Sequence, residues 1–173
     1  NRRSNLRVCS AAQNRLNCRR HKNNQAGLKG VYLDKECATT RWRASIRANG
    51  KKHNLGSDTL KLALTNSAPL ATNTVLANIT QITAANGYTS GGNTVTITAS
   101  SQTSGTYKLV GNDVTFTASG GSMAQFRYVV LYNDTEASDA LIGYWDNGSA
   151  VDLVDTQSFV VDFNATNGIL QLS

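Results

Sequence analysis

Residues 126–132 read Phe126-Arg127-Tyr128-Val129-Val130-Leu131-Tyr132, six apolar or aromatic side chains in seven positions with no Gly or Pro. So short an apolar run fits a strand covered on both faces, and it is the best candidate for a central strand. Working outward, Val114, Phe116 and Ala118 alternate with Thr, as do Val95, Ile97 and Ala99, the pattern of half-buried strands. Further strand candidates are Thr59–Thr65, Thr94–Ala99, Tyr107–Val110, Leu141–Trp145, Phe159–Phe163 and Ile169–Leu172. Between them, Asn86-Gly87, Gly91-Gly92, Gly120-Gly121, Asn147-Gly148 and Asn167-Gly168 read as turns. A short helix competes only at Thr74–Thr83. Short strands separated by Gly-rich turns predict a mainly β fold, an antiparallel β-sandwich or jelly roll.

Charge divides the chain. Residues 1–56 hold nine Arg and five Lys against Asp34 and Glu36, a net +12, whereas residues 57–173 hold three cations against nine acids, a net −6. All three Cys and both His lie in the first part. Segments of opposite charge seldom share one surface, so two modules are expected, 1–56 and 57–173. A length of 173 residues accommodates one medium or two small domains. No apolar run approaches the roughly 18 residues of a membrane span, and no signal-peptide pattern opens the chain. Asn1 in place of Met reads as a processed, trimmed or fragmentary start.

In the basic module, Ser10 and Gln13 form a capping box, which predicts a short helix to about His21 carrying Arg15, Arg19, Arg20 and Lys22. Lys29-Gly30-Val31-Tyr32-Leu33 alternates as a strand. In Arg41–Arg47, Trp42, Ala44 and Ile46 take one face, and Arg41, Arg43, Ser45 and Arg47 the other. Asn49-Gly50 suits a tight hairpin turn, after which Lys51–Leu55 would return. A small three-stranded antiparallel sheet with a guanidinium row is the expected result. Like charges on one sheet face destabilise it unless an anion lies opposite, and a phosphate backbone supplies one.

The stretch GLKGVYLDKECATTRWRASIRANGKKHNLG resembles the sheet of an AP2/ERF-type DNA-binding domain through Lys29-Gly30-Val31, Trp42–Arg47 and Leu55-Gly56. That resemblance implies a sheet face in the major groove, with Lys29, Arg47 and Lys52 at basic contact positions. Tyr32, Ser45 and Asn54 stand at contact positions where the family usually has other residues, and Asp34 replaces a usual basic residue. Arg41 and Arg43 join the face by alternation alone. The family's long helix should follow Gly56, but Ser57–Leu64 reads as a strand. The preceding residues, Asn1–Asn14, resemble the end of a phage HNH homing endonuclease. Asn5 matches the motif's central Asn and Asn14 a metal-ligand position. The upstream Asp-His pair that would supply metal ligand and general base is absent, so the nuclease site is incomplete and no metal is expected.

The acidic module resembles phage virion-associated β-sandwich structural proteins through SDTLKLALTNSAP, NGYTSGG, FRYVVLYND, LIGYWDNGS and FVVDFNATNGILQLS. That implies packing or attachment on a capsid or tail. Other chemistry finds little footing. Cys9, Cys18, His21 and Cys37 fit no common zinc spacing, and the three cysteines read as ordinary intracellular thiols. Gly91-Gly92 and Gly120-Gly121 lack the Lys of a phosphate loop. Asn78, Asn133, Asn147 and Asn164 head Asn-x-Ser/Thr sequons that read as effects of composition. Asp113, Asp134, Asp139, Asp146, Asp152 and Asp155 sit beside turn or strand-end signals, and no spacing singles out a catalytic pair.

The leading expectation is a non-catalytic phage hybrid, an in-frame fusion of an AP2/ERF-like double-stranded DNA-binding module with a virion-type β-sandwich. Its DNA contacts would come from Lys29, Tyr32, Arg41, Arg43, Arg47, Lys52 and Asn54, with Arg15, Arg19 and Arg20 on the helix. The second reading is a virion structural or decoration protein whose basic arm touches genome or capsid. The third is a fragment of an HNH homing endonuclease. Expected partners are double-stranded DNA through residues 1–56 and capsid or tail proteins through residues 57–173, with a homo-oligomer as a further option. No cofactor and no membrane are expected. Location would be the virion or the host-cell cytoplasm.

Overall fold

A computed structural model describes the backbone of residues 30–32 and the whole of residues 53–172. The strands are β1 (Gly30–Tyr32), β2 (Leu60–Thr65), β3 (Asn93–Val95), β4 (Ile97–Thr103), β5 (Thr106–Gly111), β6 (Val114–Thr117), β7 (Met123–Asn133), β8 (Ala140–Leu153), β9 (Ser158–Val161) and β10 (Leu170–Leu172). They form three sheets, ordered β3-β2-β7-β8, β10-β5-β4 and β1-β9-β6. Every pairing is antiparallel except β1 on β9, which is parallel. The fold is mainly β, as the strand and turn pattern predicts.

The apolar run at 126–132 forms the centre of β7, hydrogen-bonded to β2 on one side and β8 on the other. Its lack of alternation has a direct cause: both faces are covered. Phe126, Val129 and Leu131 enter the main core with Leu60, Leu62, Leu64, Leu109, Phe116, Phe159 and Leu170, so a single cluster draws on all three sheets. Phe126 meets Phe159 edge to face at 5.0 Å. Val130 and Tyr132 point the other way, into a second cluster with Ala63, Leu76 and Ile79. Each such fully buried side chain stabilises the fold by about 1.5–3 kcal/mol. The half-buried alternation holds on β6, where Val114 and Phe116 are buried and Thr115 and Thr117 exposed, and it continues to buried Ala118.

The second cluster is covered by residues 67–82. The helix that competes at Thr74–Thr83 reduces to one 3-10 turn, Leu76–Asn78. Asn78 Oδ1 accepts from the N–H groups of Thr74 and Val75, an Asx-type closure that favours a tight turn over a longer helix. Backbone bonds Ile82 N to Leu64 O and Leu141 N to Thr74 O hold the segment against the sheet.

Three local expectations need correction. Thr94–Ala99 is not one strand: the chain changes sheets at Thr96, so that β3 pairs with β2 and β4 with β5. Thr96 O instead accepts from Asn112 N, and Ala99, beyond the switch, is exposed. Asn147-Gly148 does not separate two strands but forms a bulge inside β8, where the register with β7 jumps from Tyr128↔Asp146 to Phe126↔Val151. The return strand expected over Lys51–Leu55 is absent in its described part. His53 and Asn54 are irregular, and the residues that follow form a turn closed by Ser57 N and Asp58 N, both donating to Asn54 O. The expected helix after Ser10 and the Arg41–Arg47 strand lie outside the described residues. Gly30–Tyr32 is a strand, as the alternation predicts, and its neighbour is β9 of the acidic segment. No helix among the described residues is long and apolar enough to cross a membrane.

Candidate functional site

Of the residues expected to touch DNA, the structure describes Asn54 and the backbone of Tyr32. Lys29, Arg41, Arg43, Arg47, Lys52, Arg15, Arg19 and Arg20 lie outside the described residues, as do Ser45, Asn14, the three Cys and His21. Among the described residues, the basic segment is fastened to the β body at two places.

The first is the β1–β9 ladder, in which Gly30 pairs with Ser158, Val31 with Phe159 and Tyr32 with Val160. The second is a polar latch at the end of β7. Asn133 is fully buried. Its Oδ1 accepts from the backbone N–H groups of Thr135, at 2.9 Å, and Glu136, at 3.3 Å. Those two donors settle which amide atom is oxygen, so Nδ2 faces the junction and donates to Asp58 Oδ2 at 2.7 Å and to His53 Nδ1 at 3.0 Å. Both donors and both lone pairs of the amide are used. His53 Nδ1 is therefore the acceptor, and the imidazole proton sits on Nε2.

Asp58 Oδ2 also accepts from Asn54 N. Thr59 closes the latch, its N–H donating to Thr135 Oγ1 and its carbonyl accepting from Asp134 N. Leu55 packs against the main core. The Asn54 backbone is thus spent on structure while the residue stays exposed at the surface.

Asn133-Asp134-Thr135 carries a sequon in the sequence, but burial of the Asn133 amide commits it to the latch. The amides of Asn78 and Asn164 likewise accept from nearby backbone N–H groups. A polar residue ending an apolar strand, beside Asp-Thr, is the signal that could have revealed the latch.

The carboxylates hold turns and neighbouring strands. Asp113 accepts from Phe163 N, Asp152 from Gln125 Nε2, and Asp155 from Gly120 N. Lys61 Nζ lies 2.9 Å from Asp134 Oδ2. Arg127 makes a two-pronged pair with Asp146, Nε to Oδ1 at 2.7 Å and Nη2 to Oδ2 at 2.8 Å. Its guanidinium also lies 5.2 Å from the centre of the Tyr128 ring. Hydrogen bonding to Arg127 holds the Asp146 carboxyl below its ordinary range, helped by Gly148 N. Tyr132 donates to Gly91 O, and burial, with Asp134 nearby, raises its phenol well above the usual value. Neither the Arg127–Asp146 pair nor the Tyr132 link was visible from spacing alone. Among the described residues no group of three His, Cys, Asp or Glu side chains is placed to hold a metal ion.

No family model, no curated protein and no solved structure matches this chain.

Proposed function

We propose that the chain is a non-catalytic phage protein in which a basic, AP2/ERF-like segment binds double-stranded DNA and is carried by a virion-type β-sandwich body. The observation that carries this reading is the charge split, net +12 over residues 1–56 against net −6 over residues 57–173. A dense cationic segment raises affinity for polyanions by counterion release, and an acidic body turns the rest of the surface away from DNA. The sandwich arrangement belongs to the same proposal, supported by one core filled from all three sheets. The body would attach to capsid or tail proteins, placing the chain on the virion or in the infected host cell.

The test is a salt titration of duplex DNA binding by the full chain, against an Arg41→Ala/Arg43→Ala/Arg47→Ala variant. Loss of three phosphate contacts should flatten the slope of log K against log salt by about 3. Equal slopes and affinities would rule out the guanidinium row as the contact surface.

One observation favours the second reading, a virion structural protein whose basic arm touches genome or capsid. Gly30–Tyr32, the first strand of the AP2-like pattern, is hydrogen-bonded to β9 of the body. That pairing makes the basic segment an arm of the body as much as a separate reader of DNA. Under this reading a chain lacking residues 1–56 keeps its association with particles, which the body carries. The endonuclease-fragment reading has no such support.

A further inference from the structure

Asn-Gly pairs are chemically labile because glycine has no Cβ to shield its nitrogen from the preceding side-chain amide. The described residues hold three, Asn86-Gly87, Asn147-Gly148 and Asn167-Gly168, and none of the three Asn is buried. Their surroundings differ. A Cβ at Gly87 would lie 2.1 Å from Thr117 O and one at Gly168 2.3 Å from Leu109 O, so packed backbone blocks the swing that ring closure requires. The Asn86 side chain is also tied down, its Nδ2 donating to Ser122 O at 2.7 Å. At Asn167 the nucleophile is committed, since Gly168 N donates to Asn164 O at 2.7 Å. Around Gly148 the space is open: a Cβ there meets nothing within 4 Å. Its N–H donates to Asp146 Oδ1, an oxygen that Arg127 Nε also holds, so a side chain rather than packed backbone restrains it. Asn147 Nδ2 donates to Ser149 O at 2.9 Å. A side chain reaching the carbonyl two residues on lies across the intervening Gly148 peptide, a near-attack arrangement for its nitrogen.

We propose that Asn147 is a self-modification site, at which the fold lets the Gly148 nitrogen convert residue 147 to aspartate or isoaspartate. Gly148 N bonds to Asn147 Cγ, the bond from Cγ to Nδ2 breaks, and Nδ2 leaves as ammonia with the proton that Gly148 N gives up. The product is a five-membered imide. Water then adds across either carbon–nitrogen bond of the ring, hydroxyl to the carbonyl carbon and hydrogen to nitrogen, giving aspartate or isoaspartate. The isoaspartate form adds one carbon to the backbone within the bulge of β8, where register with β7 is already broken, so the ladder on either side survives. Either form sets a new carboxylate beside Asp146, where it competes for Arg127. The chemistry needs only water and is independent of what the basic segment binds.

The test incubates the full chain in warm, mildly alkaline buffer and follows each Asn-Gly site by peptide mass spectrometry. Conversion replaces a side-chain NH group by oxygen, and fragment ions assign that mass change to a residue. Asn147 should convert at least about tenfold faster than Asn86 or Asn167, the ratio that a barrier difference of about 1.4 kcal/mol gives. Gly148→Ala, whose Cβ shields the nitrogen, should bring Asn147 down to the rate of the other two. In concentrated urea, where the fold is lost, the three rates should converge. Equal rates at the three sites in the folded chain, or faster conversion at Asn86 or Asn167, would overturn the assignment. So would a preference for Asn147 that urea leaves intact, because neighbouring residues rather than the fold would then set it.

Discussion

Replacing Asn133 by Ala should destabilise the body by about 3 kcal/mol. The substitution removes the acceptor for two backbone N–H groups, Thr135 and Glu136, and the donor to Asp58 and His53. Each orphaned N–H costs about 1 kcal/mol where water reaches it only in part. The volume vacated at a fully buried position adds about 1 kcal/mol more. Asp58 and His53 are half-exposed and recover hydration, so they add little. Against a typical total of about 5–15 kcal/mol, the loss is easily read as a shift in the denaturant midpoint with unchanged slope. Fluorescence of Trp145, packed against Phe163 at 5.7 Å, can report the unfolding of the core.

A second pair of variants separates the latch from mere packing. Asn133→Asp keeps both acceptor bonds but sets a carboxylate against Asp58, so it should cost at least as much as Ala. Adding Asp58→Asn turns an amide N–H toward the new carboxylate across the 2.7 Å contact, at the loss of the Asn54 N bond, because both bonds use the same Asp58 oxygen. Relief of the like charges should still recover about 1 kcal/mol relative to Asn133→Asp, and the cycle completed with Asp58→Asn alone gives the coupling. A coupling near zero, or a cost for Asn133→Ala below about 0.5 kcal/mol, would refute the latch.

Two further outcomes follow from local geometry. A Cβ at Gly92, whose φ is +70°, would lie 1.8 Å from the Leu62 carbonyl oxygen, whereas one at Gly148, φ +79°, meets nothing within 4 Å. Gly148→Ala should therefore cost only the backbone strain of about 1 kcal/mol, and Gly92→Ala more than about 3 kcal/mol, compared by thermal or denaturant midpoints. The Arg127–Asp146 pair has side chains 38% and 24% exposed, so solvent screening limits its contribution to within about 1 kcal/mol. Because the folded Asp146 carboxyl is lowered, its contribution is present above the ordinary carboxylate pKa of about 4 and is lost as pH falls through the lower folded value. Asp146→Asn should thus be less stable than the parent at pH 7 by about 0.5–1 kcal/mol, with the gap closing at strongly acid pH. A gap unchanged by pH would place the effect elsewhere.

How far the sequence reached depended on the range of the forces involved. Alternation at Val114–Ala118, the unbroken apolar run at 126–132 and the Gly-containing turns report the burial of single strands, which each residue's own chemistry decides. The mainly β class, the central place of β7 and the strand at 60–65, where an AP2-type helix would otherwise begin, were all legible on that basis. The acid–base partition along the chain was legible for the same reason. The switch of sheets at Thr96, the bulge at Asn147-Gly148 and the turn at 54–57 were not, because each depends on a neighbour distant in sequence: Asn112, β7 and the end of β7. The full satisfaction of the Asn133 amide and the pairing of Gly30–Tyr32 with β9 also required the chain to be folded. Hydrogen-bond partners brought together across 75 to 128 residues leave no spacing that periodicity can read.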